Sequence, residues 1–260
     1  MTALRGNRES RWFLRFRRCD DAIARLICFH YAGGSASIFR EWAAELPAEV
    51  EVLAVQLPGH GSRYAEPLTS DISRIVHPIC HEIKALTNMP CYLFGHSMGA
   101  LLAFEVATRL MNSEVNLRHL FVSATLPPHV KRVSPRIAGL PQADLINELR
   151  TYEGTPEEIL SNPDLVRVLL PIWRADFEIA ETYETRVREP LNCPLTALGG
   201  REDKWISTSD MAEWRQLTSR EFKSKAFNGG HFYIHSEQSS LLQLISTIVR
   251  EQENNYAPVC

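Results

Sequence analysis

The sequence predicts an α/β fold, a mainly parallel central sheet flanked by helices, and three observations carry that expectation. Short stretches that read as strands at residues 24–29, 51–56, 91–94, 117–123, 195–200 and 221–227 are separated by helical segments. One of them, Cys91-Tyr92-Leu93-Phe94, runs into Gly95-His96-Ser97-Met98-Gly99 and then into a second apolar run, which reads as strand, sharp turn and helix. The 260 residues, 45% hydrophobic and 23% charged, are enough to build one such domain around a sizeable core.

Composition removes several function classes. A net charge of −3 is too small for a nucleic-acid binder, which needs clustered Lys and Arg to displace counterions from phosphate. The six cysteines show no C-x-x-C pair and no metal-ligand spacing, and several lie inside apolar runs, so a reducing, cytoplasmic setting without disulfides is expected. No stretch of about eighteen apolar residues exists to span a bilayer. The first nineteen residues hold Arg5, Arg8, Arg11, Arg15, Arg17 and Arg18 against Glu9 alone. An Arg-rich organelle transit peptide is one reading; the preferred one is an extended arm whose Trp12, Phe13, Leu14 and Phe16 pack on the domain.

In chain order, the strand at 24–29 enters His30-Tyr31-Ala32-Gly33-Gly34-Ser35, a glycine loop that exposes backbone N–H groups to a ligand or simply turns toward a helix over 39–46. The strand at 51–56 is closed by Leu57-Pro58-Gly59-His60-Gly61. A helix follows from Asp71, with Ile72, Ile75, Val76, Ile79, Ile83 and Leu86 on one face and a kink at Pro78. Beyond the strand at 117–123 the pattern changes. Residues 126–189 read as a helical lid insertion within a single domain spanning 1–260, cut into short pieces by Pro127, Pro128, Pro135, Pro141, Pro156, Pro163 and Pro171. Leu165, Val168, Leu169, Ile172 and Trp173 give one of its helices an apolar face, for packing or for lining an acyl-sized pocket. A closing helix carries Leu241, Leu242, Leu244, Ile245, Ile248 and Val249 on one side.

Three side chains each stand just past a strand end: Ser97, Asp203 and His231. Their order, serine then acid then histidine, is that of an α/β-hydrolase. In that chemistry His231 takes the Ser97 proton during attack and returns one to the leaving group, while Asp203 fixes the imidazole tautomer. The Met98 N–H, at the start of a helix, and the Ala32 N–H, in the glycine loop, are the candidate oxyanion donors. His235 remains an alternative base, and Glu202 and Asp176 remain alternative acids; His96 is read as structural. No cluster has the spacing of a zinc site, so no metal is expected.

On these residues the chain resembles a type II thioesterase, the editing enzyme of polyketide and nonribosomal peptide synthesis, and it is similar to the medium-chain thioesterase of animal fatty acid synthesis. The matching stretches are Trp12-Phe13, Cys28-Phe29, Tyr31-Ala32-Gly33-Gly34-Ser35-Ala36, Leu57-Pro58-Gly59, Gly95-His96-Ser97-Met98-Gly99, Arg174-Ala175-Asp176, Gly199-Gly200 with Asp203, and Gly229-Gly230-His231-Phe232. His30 and His60 depart from the family pattern, which usually has proline and arginine there. The resemblance implies catalytic roles for Ser97, Asp203 and His231, oxyanion roles for Ala32 and Met98, and hydrolysis through an acyl-serine intermediate without a cofactor. It also implies a substrate that is an acyl group on the phosphopantetheine of an acyl or peptidyl carrier protein, acted on by a cytoplasmic monomer. Such carriers are generally acidic, which makes Lys131, Arg132 and Arg136 a candidate docking patch. A carboxylesterase or lipase acting on oxygen esters, and a chain-releasing medium-chain fatty acyl thioesterase, are the alternative readings.

Overall fold

The computed structural model describes residues 10–86, 89–130, 136–185 and 189–256. Among these, one seven-stranded sheet runs in the order β1-β3-β2-β4-β5-β6-β7, with β1 at Phe13–Leu14, β2 at Ala24–Phe29, β3 at Val50–Val55, β4 at Cys91–His96, β5 at Leu117–Ser123, β6 at Leu195–Gly200 and β7 at Phe222–Phe227. Every neighbouring pair is parallel except β1 with β3. The α/β class and the strand positions agree with the sequence reading; β1 does not appear in it. Two residues are too few to show a period, and what makes them a strand is the β3 edge, where Phe13 pairs with Val55 and Leu14 with Ala54. Trp12, 5% exposed, anchors this arm, with the Arg63 guanidinium 4.2 Å above its ring.

Alternate side chains of β2 and β4 enter opposite cores, as a sheet covered on both faces requires. Ile27, Phe29 and Leu93 pack with α2 (Ile72–Lys84) and α3 (Met98–Leu110). Leu26, Cys28, Tyr92 and Phe94 pack with α1 (Arg40–Glu45) and α9 (Gln238–Tyr256). Asp71 caps α2 by accepting from the Ser73 N–H at 2.9 Å. Among the described residues the five cysteines outside the C-terminal one are unpaired.

Between β5 and β6 lie α4 (Gln142–Tyr152), α5 (Glu157–Leu160) and α6 (Pro163–Thr182), sharing a small core of their own around Leu145, Leu149, Leu160, Trp173 and Phe177. The expectation that prolines chop this segment holds only in part. Pro141 and Pro156 stand at helix starts and Pro163 opens α6, where a missing N–H costs nothing. Pro171 lies inside a continuous 20-residue helix. The residue four before it, Arg167, whose carbonyl loses its partner there, is on the exposed side of the helix. Pro78 is likewise inside α2, and Arg74, whose carbonyl it leaves unbonded, is exposed. Two short helices, α7 (Thr208–Ala212) and α8 (Tyr233–Ser236), follow β6 and β7.

Candidate active site

Ser97 joins β4 to α3 with φ 53° and ψ −120°, a conformation that a serine adopts only under compulsion. The compulsion is steric packing around the turn. A Cβ on Gly95 would lie 2.1 Å from the Gly99 carbonyl oxygen, and one on Gly99 would lie 2.2 Å from that of Phe29. With both glycines in place, the helix starts against the strand end, and the Ser97 N–H donates to the Ser123 carbonyl at 2.8 Å.

The loops after β6 and β7 are tied together by two backbone bonds, Arg201 N–H to the Phe227 carbonyl at 2.8 Å and Glu202 N–H to the Gly229 carbonyl at 3.0 Å. This brings Asp203 beside His231. One oxygen of Asp203 accepts from the N–H groups of Trp205 and Ile206 at 2.9 and 3.2 Å; the other accepts from His231 Nδ1 at 2.8 Å. A carboxylate only accepts, so Nδ1 carries the proton. His231 Nε2, 3.1 Å from Ser97 Oγ, is then free to accept the serine hydrogen. The Asp203 side chain is fully buried and that of His231 is 5% exposed.

The rival groups are occupied elsewhere. His96 Nδ1 bonds to Ser123 Oγ at 2.8 Å, and that hydroxyl reaches Tyr233 at 2.6 Å. Burial, reinforced by His231 and His235, holds the His96 imidazole neutral, well below the ordinary histidine range. His235 bonds through Nε2 to the Tyr31 hydroxyl at 3.1 Å. Glu202 points to solvent. Asp176, on α6, accepts from the Gly33 N–H at 2.7 Å and contacts His60 Nε2 at 2.9 Å, holding the loop that follows β2 rather than His231. The residues of Arg174-Ala175-Asp176 thus divide their work, since Arg174 donates in the other direction, to the Leu140 carbonyl at 2.7 Å.

Ala32 lines the cavity floor together with Ser97 and His231, and Met98 is the fully buried first residue of α3, where its N–H has no intrahelical acceptor. The cavity measures about 350 Å³ and is walled by Leu149, Ile159, Leu169, Trp173 and Phe177 from the segment between β5 and β6. A second chamber of about 30 Å³ also opens on Ser97, bounded by Leu126, Trp205 and Ile206. Tyr152 and Trp205 stack at 4.1 Å and 4°, and both meet the His231 ring edge-on. Of the apolar face expected on α6, Leu169, Ile172 and Trp173 line the cavity, whereas Leu165 and Val168 are exposed. Arg136 is exposed; Lys131 and Arg132, the rest of the expected docking patch, lie outside the described residues. The described residues contain no group of His, Cys, Asp and Glu able to hold a metal, and no helix long and apolar enough to cross a membrane.

A serine on a strained turn at the carboxyl edge of a mainly parallel sheet, with an acid and a histidine delivered by the next strand ends, defines the α/β-hydrolase fold. Within that class the pattern of the thioesterase domain family matches residues 24–250, and the chain belongs to this family, hydrolases that act on thioesters. It is 41% identical over 245 residues to the linear gramicidin dehydrogenase LgrE of Brevibacillus parabrevis, covering 93% of each chain. It is 37% identical over 242 residues to the gramicidin S biosynthesis protein GrsT of Aneurinibacillus migulanus, covering 93% of this chain and 94% of that one. Among solved structures it superposes on the type II thioesterase BorB of the borrelidin biosynthetic cluster with a TM-score of 0.84 and 37% identity, over 91% of this chain and 97% of that one.

Two contributors to the site were not identified from sequence. Tyr152 and Trp205 carry no motif, and no spacing links positions 33, 60 and 176. The one signal was that His60 and Asp176 each stood out singly.

Proposed function

We propose that the chain removes acyl groups from the phosphopantetheine arms of acyl or peptidyl carrier domains in polyketide or nonribosomal peptide synthesis, with Ser97, His231 and Asp203 as its catalytic residues. The observation that supports this most is the hydrogen-bonded line from Asp203 through His231 to Ser97 on the floor of an apolar cavity. Ser97 Oγ attacks the thioester carbonyl carbon while His231 Nε2 takes its proton. The carbonyl oxygen becomes an oxyanion facing the N–H groups of Ala32 and Met98. As the C–S bond breaks, His231 gives that proton to the departing thiolate, leaving acyl-Ser97. Water then attacks the ester, His231 takes a water proton, the C–O bond to serine breaks, and Ser97 Oγ recovers the proton. Every proton moves between these groups and substrate, so the reaction needs no cofactor.

In this reading the protein works in the cytoplasm as a monomer, one domain in which residues 126–189 act as a lid and Lys131, Arg132 and Arg136 meet the acidic carrier. The deciding experiment compares one acyl group presented on a carrier phosphopantetheine, on N-acetylcysteamine and as an oxygen ester. Release from the two thioesters, lost in Ser97→Ala, is expected; preference for the oxygen ester overturns the thioesterase assignment. Reversing the three basic charges should raise KM for the carrier substrate alone. The dehydrogenase in the name of the 41% identical relative raises hydride transfer as a second reading. The thirteen glycines here contain no G-x-G-x-x-G spacing for a dinucleotide, and NADPH oxidation on an aldehyde or acyl substrate tests it directly.

A further inference from the structure

His60, Asp176 and His30 form a buried ionisable cluster directly behind the loop that presents Ala32. His60 Nδ1 is 2.9 Å from the Pro58 carbonyl oxygen, and His60 Nε2 is 2.9 Å from Asp176 Oδ2. Both partners are acceptors, so a neutral ring satisfies only one of them and aims a lone pair at the other. The contacts are met together only when the His60–Asp176 pair holds one proton beyond that on Nδ1, which makes His60 an imidazolium against a carboxylate. Their side chains are 3% and 2% exposed, so no solvent replaces that proton's bond. The same Oδ2 also receives the Gly33 N–H at 2.7 Å, one residue after Ala32.

We infer that His60 works as an imidazolium that clamps Asp176, and through Asp176 the Gly33 N–H, so that it is a positioning residue for the oxyanion loop and sets an alkaline limit on turnover. The inference rests on the proposal that Ala32 donates to the oxyanion. When base removes the Nε2 proton, Nδ1–H stays on the Pro58 carbonyl, and a nitrogen lone pair faces Oδ2 at hydrogen-bond distance. The carboxylate is pushed off the position where it holds Gly33, and the loop loses its anchor.

The groups facing His60 are Asp176 from α6 and His30 from the end of β2; Arg63, on its own turn, is turned away to Glu66 and the Gln56 carbonyl. Burial opposes charge on His60, but the hydrogen bond and charge of Asp176, with the Pro58 carbonyl, outweigh it and raise its pKa above 6.5. His30, with its ring centroid 5.1 Å from that of His60, stays neutral: burial first, then the His60 charge, lower it to about 4. Its Nδ1–H donates to the Tyr31 carbonyl at 2.9 Å. The cluster therefore carries one switchable proton, not two.

The test is kcat against pH on an acyl-N-acetylcysteamine thioester, which needs no carrier docking. Wild type should lose about ten-fold or more on the alkaline side, a fraction of the 10²–10³ that removal of a whole oxyanion donor costs. His60→Arg keeps a charge that base does not remove, and it should abolish that falling limb while leaving the acidic side of the profile unchanged. His60→Gln should show low kcat with no alkaline limb at all. A falling limb that persists unchanged in both variants, or is absent from wild type, overturns the inference. If neither variant folds, the side-chain ¹⁵N shifts of His60 in wild type, assigned through its own backbone, decide: an imidazolium at neutral pH supports the clamp and a neutral ring removes it. Failure of the catalytic proposal itself is distinct, because turnover would then survive in Ser97→Ala at every pH.

Discussion

Replacing Asp203 by asparagine exchanges one oxygen for an NH₂ and leaves volume and shape alone, yet the surroundings leave the new side chain only one orientation. One carboxylate oxygen accepts from both Trp205 and Ile206 N–H groups, and the other accepts from His231 alone. Placing the amide nitrogen against Trp205 and Ile206 sets three donors together; placing it against His231 sets only two. The amide oxygen therefore stays on the backbone pair, and the NH₂ faces His231 Nδ1 at about the present 2.8 Å. With the Asp203 side chain fully buried and little room for water to separate the donors, the ring sheds its Nδ1 proton and carries hydrogen on Nε2 instead. That nitrogen then presents a proton to Ser97 Oγ, 3.1 Å away, and the serine has no base. A wrong tautomer of this kind costs about 10⁴ in kcat in a well-studied serine protease, which at about 1.36 kcal/mol per decade is ~5.4 kcal/mol of transition-state stabilisation. The assay is thiol release from an acyl thioester, with the thermal midpoint measured alongside. An Asp203→Asn enzyme that folds and works within ten-fold of wild type refutes the reasoning, as does an equal loss in Glu202→Gln.

Ser97→Ala and His231→Ala should each lower kcat by about 10⁴ or more, and the double variant should be little worse than either, because the two act as one unit; additive losses in single-turnover rates would separate their roles. Gly99→Ala should cost about 1–3 kcal/mol or more in urea unfolding, since its Cβ meets backbone oxygens of Phe29 and His30 at 2.2 and 2.5 Å, whereas Gly139→Ala meets nothing within 4 Å and should be near neutral. Stability should fall as pH drops below 6.5. Burial lowers His30 to about 4 and His119 to about 3, and holds His96 well below its usual value, so the unfolded chain takes up protons that the native one refuses. His60 has the opposite sign, its contribution being complete below 6.5 and lost as pH rises through its raised value. Urea midpoints at pH 7 and 4.5 check this, with His119→Gln flattening the acid slope by up to about 1.36 kcal/mol per pH unit; a midpoint unchanged by acid would contradict it.

What the sequence makes legible are features repeated along one stretch of chain. The strands at 24–29, 117–123 and 195–200 are visible because each is a mostly apolar stretch of strand length, as a strand covered on both faces tends to be. The positions of Ser97, Asp203 and His231 are visible because each follows a stretch that reads as a strand. Beyond that, the chain writes its contacts at long range. β1 exists because of Val55 and Ala54, some forty residues away, and nothing in Phe13-Leu14 announces a strand. Pro171 reads as a breaker until α6 is seen to run through it with Arg167, the residue whose carbonyl it affects, on the exposed side. Asp176 reads equally as a candidate acid or a bystander, since its partners at 33 and 60 are set by how α6 lies across the mouth of the sheet. The charge state of His60 is a property of two acceptors on two different elements and has no local signature.

The reach of α6 also sets where this enzyme is divisible. Its N-terminal half, with Leu165 and Val168 in solvent, belongs to the roof of the cavity, but further along the same helix Trp173 lies against Gly33 and Asp176 enters the loop beneath. A chimera that transplants the whole interval between β5 and β6 to alter acyl selectivity would therefore import a foreign support for the Ala32 loop along with the new roof. The natural seam for recombination runs through the middle of α6, near Pro171, with everything after it inherited together with residues 30–60.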